Sequence, residues 1–145
     1  MQYTLDIVID LPRDRVIDLF DNPDNLKKWQ PDLLSFTHLE GDPGQPGAKS
    51  LLKYRWGKKE MEMIETIVSR NLPDHFSGIY EAGGVWNKVS NKFEETEDGR
   101  TRWIVDNEFQ FKGLYKLMGF FMPGSFKKQT LKYMHQFKAF AETHK

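Results

Sequence analysis

The chain has 145 residues, with 21 basic and 21 acidic side chains, no cysteine, and 14% aromatic residues. That length suits one domain with a sizeable core, and the balanced charge supplies no global field toward nucleic acid. Without cysteine there is no disulfide framework, no thiolate nucleophile and no Cys-based zinc site. The charges are unevenly placed, however. Residues 1–47 hold nine acids against Arg13, Arg15, Lys27 and Lys28, a balance of −5. Residues 112–145 hold seven lysines against Glu142, a balance of +6. A lysine-coated solvent face on the last helix accounts for the second of these. The chain enters an alternating strand at once and has no apolar run of membrane-spanning length, so a cytoplasmic setting is expected.

In YTLDIVIDL, residues Tyr3, Leu5, Ile7, Ile9 and Leu11 share one face, which predicts a half-buried strand. Pro12 suits a first helical turn, and Val16, Ile17 and Phe20 form one stripe behind it. DNPDNLKKWQPD predicts a second short helix that stops at Pro31, with Leu26 and Trp29 inward. From Leu33 to Phe111 the period becomes two, and the turn clusters GDPGQPG, WGKK, NLPD, AGG and EDGR divide it into six strands. Beyond residue 112 the period is helical again. Phe126, Thr130, Tyr133, Phe137 and Phe140 make one stripe, with Lys127, Lys128, Lys132 and Lys138 opposite.

GDPGQPGAKS has the glycine content of a phosphate cradle but not its chemistry. Ala48 separates Gly47 from Lys49, Pro43 and Pro46 remove two amides, and an alternating segment follows where a helix should begin. It is expected to be a bend between strands.

Strand, two short helices, six antiparallel strands and a long C-terminal helix together resemble the START/Bet v 1-like superfamily. More narrowly, the order resembles its small bacterial polyketide cyclase/dehydrase-like members. The most specific stretch is residues 12–52, where Pro12 opens a helix, Trp29 and Pro31 follow, and LEGDPGQPG joins two strands. The resemblance implies an α+β helix-grip fold: a curved seven-stranded antiparallel sheet around a long C-terminal helix, one domain over residues 1–145. It implies a scaffold better than an activity, since such proteins include lipid carriers, receptors, cyclases and co-chaperones.

Two strand faces suggest an enclosed space. Val85, Asn87, Val89, Asn91 and Phe93 form one, and Trp103, Val105, Asn107, Phe109 and Phe111 the other, with solvent-type residues between them. Asn87, Asn91 and Asn107 are therefore expected inward. There they either orient a ligand's polar end or bond neighbouring backbone. Leu52, Tyr54 and Trp56 share a third face, and Met118, Phe121, Tyr133 and Phe137 would close the space from the C-terminal side.

Glu65 lies between Met63 and Ile67, where enclosure would raise its pKa and fit it for acid–base work. The alternative register places Ile64, Thr66 and Val68 inside and Glu65 in water, and the sequence leans toward it. Tyr54, Tyr80 and Arg55 are further proton donors, Tyr54 the best placed. Among the four histidines no metal spacing is present, and only His38 could face the space, although a lone strand histidine is more often structural or exposed. No cofactor or metal is expected.

The apolar run Leu114–Met122 is interrupted by Gly119 and flanked by Gly113 and Pro123, and suggests a lid at the cavity mouth, ordinary packing, or a transient membrane-surface contact. The expected function is binding or transport of a hydrophobic or amphipathic small molecule (lipid, isoprenoid, polyketide or aromatic) by a monomer or weak dimer. A cyclase or dehydratase using Tyr54, Glu65 or His38 is the first alternative. A protein-interaction module using the 114–122 patch is the second.

Overall fold

The computed structural model describes residues 1–116 and 123–145. Alternation of Tyr3, Leu5, Ile7 and Ile9 with solvent-facing neighbours produces β1 (Gln2–Ile9). Pro12, extended at φ −61°, caps α1 (Arg13–Phe20), which buries Val16 and Leu19. The Asn22 side chain then accepts from the Asp24 amide and starts a 3₁₀ turn over Pro23–Asn25, which runs into α2 (Leu26–Trp29). Six strands follow: β2 (Leu33–Glu40), β3 (Lys49–Trp56), β4 (Lys59–Asn71), β5 (His75–Ala82), β6 (Val85–Glu95) and β7 (Thr101–Phe111). A 3₁₀ turn over Gly113–Tyr115 comes next, and α3 (Pro123–Glu142) is the long C-terminal helix.

The strands form one curved antiparallel sheet in the order β1-β7-β6-β5-β4-β3-β2. Its two edges are therefore the first two strands of the chain. The bend between β2 and β3 is a turn, as its composition predicts. Gly41 has φ +80°, and a Cβ there would come within 2.9 Å of the Ala48 backbone, so only glycine fits. The Gly47 amide donates to the Ile67 carbonyl at 2.8 Å, and the Ala48 amide to Gln45. Amides committed in this way cannot cradle a phosphate.

The core gathers over the β1-β7-β6 half of the sheet. Phe20 meets Phe93, Trp103 and Phe137 edge to face, at centroid distances of 5.1, 5.8 and 5.6 Å. Trp29 meets Phe137 at 5.1 Å, so α1, α2 and α3 converge on one aromatic knot. Further toward its N-terminal end, α3 is held by Tyr3, whose hydroxyl donates to the Phe126 carbonyl at 3.0 Å and bonds Thr130 Oγ1 at 2.6 Å. Phe126 also packs on Phe109 and Phe111. The helix thus crosses the sheet with both halves anchored to β1 and β7, and the β3-β4-β5 half lies beyond those anchors.

Phe137→Ala should lower unfolding free energy by about 3–5 kcal/mol, measured by urea denaturation, because the fully buried ring fills the centre of this knot. A loss under about 1 kcal/mol would mean that the knot is not the core.

Candidate functional site

Strand register places chemically distinct residues in rows across the concave face. One row pairs His38 with Ser50, Ser50 with Glu65, Glu65 with Tyr80, Tyr80 with Asn87, and Asn87 with Phe109. The next pairs Ile67 with Gly78, Gly78 with Val89, Val89 with Asn107, and Asn107 with Tyr3. Glu65 therefore faces inward, correcting the register that leaves it in water. Residues 59–71 are apolar on both parities, but with Glu65 and Ile67 inward Val68 falls on the outer face, 38% exposed, beside an irregularity in pairing between Ile67 and Ser69.

The Tyr80 hydroxyl donates to Glu65 Oε2 at 2.8 Å. Burial raises the Glu65 pKa, an effect only partly offset by this bond. Tyr80 is raised well above the ordinary tyrosine value, first by burial and then by the Glu65 charge. Tyr54, on β3, and Tyr133, on α3, are likewise pushed up, chiefly by burial and then by charges on one another or on Glu65. One carboxyl and three phenols from β3, β4, β5 and α3 thus share one low-dielectric space. All four nevertheless keep some accessible surface. The cluster is therefore largely, but not completely, withdrawn from solvent.

Gln30 and Trp29, at the end of α2, complete the cluster. Tyr54 donates to Gln30 Oε1 at 2.7 Å, and Gln30 is nearly fully buried. The Trp29 ring stands against Tyr133 at 4.7 Å, and its buried Nε1 has no partner among the described residues. Asn107 Nδ2 is a second such buried donor. At the middle of the floor Gly78 has no side chain, and the Tyr80 ring leans over it: a Cβ at position 78 would lie 3.5 Å from Tyr80 Cε2.

Neither of two surface concavities, about 440 and 420 Å³, contains Tyr54, Glu65, Tyr80 or Tyr133. One is lined by polar and charged residues of β1, β6 and β7, the other by α1 and the β4–β5 turn. The inward cluster remains the stronger candidate because it gathers perturbed titratable groups.

No family model matches the sequence, and no curated protein matches it. Solved structures do match over nearly the whole chain. Ara h 8.0201 superposes with a TM-score of 0.80 at 15% identity, covering 99% of this chain and 98% of that one. The Zhui aromatase/cyclase from Streptomyces sp. R1128 gives 0.79 at 10% identity, covering 98% and 93%. A Thalictrum flavum norcoclaurine synthase point mutant, in complex with a transition-state analogue, gives 0.76 at 11% identity, covering 99% and 95%. The chain has a helix-grip fold, which it shares with these proteins.

Within this helix-grip frame the other expected wall residues divide. Leu52 is buried, and Val89 and Phe109 keep partial exposure on the concave face. Trp103, Val105 and Phe137 are sealed in the core. Asn91 is inward but fully engaged: its Oδ1 accepts from Trp103 Nε1 at 3.0 Å and its Nδ2 donates to the Phe76 carbonyl at 3.2 Å. Asn87 Nδ2 donates to Asn107 Oδ1 and to the Glu108 carbonyl, both at 3.2 Å. Trp56 is not a wall, since it ends β3 beside the hairpin turn and is 60% exposed. His38 is exposed too, because the edge strand β2 shifts register there and runs off the floor. Met118 and Phe121 lie outside the described residues. Gln30 has no period to betray it; its position between Trp29 and Pro31 is its one sequence signal.

Because burial raises the folded-state pKa of Glu65 above 4.5, its contribution to stability is full below that value and is lost as pH rises through the raised one. Glu65→Gln should therefore flatten the decline of stability with pH, read from urea unfolding at a series of pH values. An unaltered curve would mean that Glu65 titrates as a free carboxyl.

Proposed function

We propose that the protein binds a hydrophobic or amphipathic small molecule between the concave face and α3, with the ligand's polar end at the Glu65–Tyr80–Tyr54–Tyr133 cluster. The observation that carries this reading is the cluster itself. A carboxyl and three phenols are desolvated together, next to two buried donors that lack partners. A core serving stability alone gains nothing from such groups, since each unpaired buried donor costs about 1–3 kcal/mol. A guest oxygen would recover that cost, while Leu52, Met63, Val89 and Phe109 offer apolar contact. Mostly apolar walls with a few convergent polar groups are the usual make-up of small-molecule sites.

The 2.8 Å Tyr80–Glu65 bond favours a second reading, a cyclase or dehydratase in which this pair moves a proton. The Zhui aromatase/cyclase shares the fold, which supports the idea only by analogy.

Native mass spectrometry of protein purified without detergent tests the first reading. A co-purifying apolar compound, displaced by a fluorescent fatty-acid probe, is the expected result. A clean apo mass together with no probe binding would sink it. Glu65→Gln separates the two readings. A carrier variant should retain the ligand with weakened affinity, whereas an enzyme variant should retain it and lose turnover.

A further inference from the structure

We propose that the end of the sheet bearing the β3–β4 and β5–β6 turns docks onto an anionic lipid surface, with Trp56 and Leu114 entering the interface. The inference stands on this rim alone and does not require an occupied cavity.

Register sets the geometry. Trp56 pairs with Lys59 around one turn, Ala82 with Val85 around the next, and Val85 with Phe111 at the end of β7. These strand ends lie at one end of the sheet, and because Ile64 pairs with Glu81 the β3–β4 hairpin, which begins β4 at Lys59, reaches about 13 Å further along the strands than the β5–β6 turn. The 3₁₀ turn after β7 is seated firmly there. The Lys112 amide donates to the Gly84 carbonyl at 2.8 Å, and Tyr115 packs so closely that a Cβ at position 84 would come within 2.5 Å of its ring. This seating aims Leu114 outward, where it is 85% exposed, while Trp56 projects from the neighbouring turn. Ordered turns thus hold a leucine and a tryptophan out in water at one end of the sheet.

Charge selects the partner. Lys58, Lys59, Lys112, Lys116, Lys127 and Lys128 are exposed around this rim, against Asp32, Glu60 and Glu81. The opposite end of the sheet is acidic on balance, with Asp10, Asp14, Asp74, Glu94, Glu95, Glu97 and Asp98 outnumbering Arg13, Arg15, Arg100, Arg102 and Lys145. A chain of zero net charge is thus polarised along its strands. Lys127 and Lys128 stand near the start of α3, where no acid occupies the first turn. Cations there oppose the helix dipole, so they do not serve the helix. Lysines around projecting apolar tips match a headgroup layer over acyl chains. A nucleic acid would use the lysines, but apolar tips set among them match a lipid surface better.

Co-sedimentation with vesicles of phosphatidylcholine, alone or with about one-third phosphatidylserine, tests this. Binding should require the anionic lipid, weaken with salt, and shift tryptophan emission to the blue in the wild type but not in Trp56→Phe. Lys58→Glu/Lys59→Glu and, separately, Trp56→Ala/Leu114→Ser should each reduce vesicle affinity about tenfold or more, with melting temperature unchanged. No sedimentation with anionic vesicles, or binding that both double variants retain, overturns the proposal. Affinity for duplex DNA without affinity for vesicles overturns it as well and assigns the rim to a different polyanion.

Discussion

The architecture depends on how α3 is fastened across the curved sheet. Its two fastenings differ in kind and both fall on the same half. The aromatic knot buries Phe93, Trp103 and Phe137 almost completely, with Phe20 partly buried against them, and Tyr3 adds a polar clasp at Phe126 and Thr130. With the helix secured over β1, β7 and β6, the concave face of β3, β4 and β5 need not be filled to hold the fold together. That division of labour lets polar side chains occupy one half of the interior while the other half supplies stability.

The short helices make the same division at smaller scale. Arg70 bonds Asp21 through both terminal nitrogens and reaches the Gly44 carbonyl, tying the end of α1 to the β2–β3 bend. Such a part-exposed bidentate pair adds geometric definition more than free energy. It fixes the path into α2, and α2 brings Trp29 and Gln30 to the cluster. Tyr54, Glu65 and Tyr80 come from the sheet and Tyr133 from the helix, so the cluster is a product of tertiary structure and no local motif encodes it.

Much of the architecture was legible because alternation reports a face directly. Tyr3, Leu5, Ile7 and Ile9 in β1 and the Trp103–Phe111 series in β7 lie where their period puts them. The inward turn of Asn87, Asn91 and Asn107 was legible for the same reason. Legibility ended where a period is ambiguous or a strand ends. Met61 and Met63 compete with Ile64 and Val68 in β4, so parity could not decide Glu65, whose face is set by its pairing with Ser50 and Tyr80 on the neighbouring strands. Trp56 has the parity of Tyr54, but parity says nothing about how far a floor extends. The Gln30–Tyr54 bond joins residues 24 apart in sequence and leaves no pattern in either segment.

Gly78 gives the interior a depth gauge. Its missing side chain leaves the Tyr80 ring free to lie along the floor, where an added β-carbon would sit 3.5 Å from Cε2, already in van der Waals contact. A methyl group would be accepted there, whereas any branched residue would lift the phenol off the floor. If the proposed ligand lies along this floor, that one backbone position would limit its length independently of the groups at its polar end, so size and head-group preference could be retuned separately.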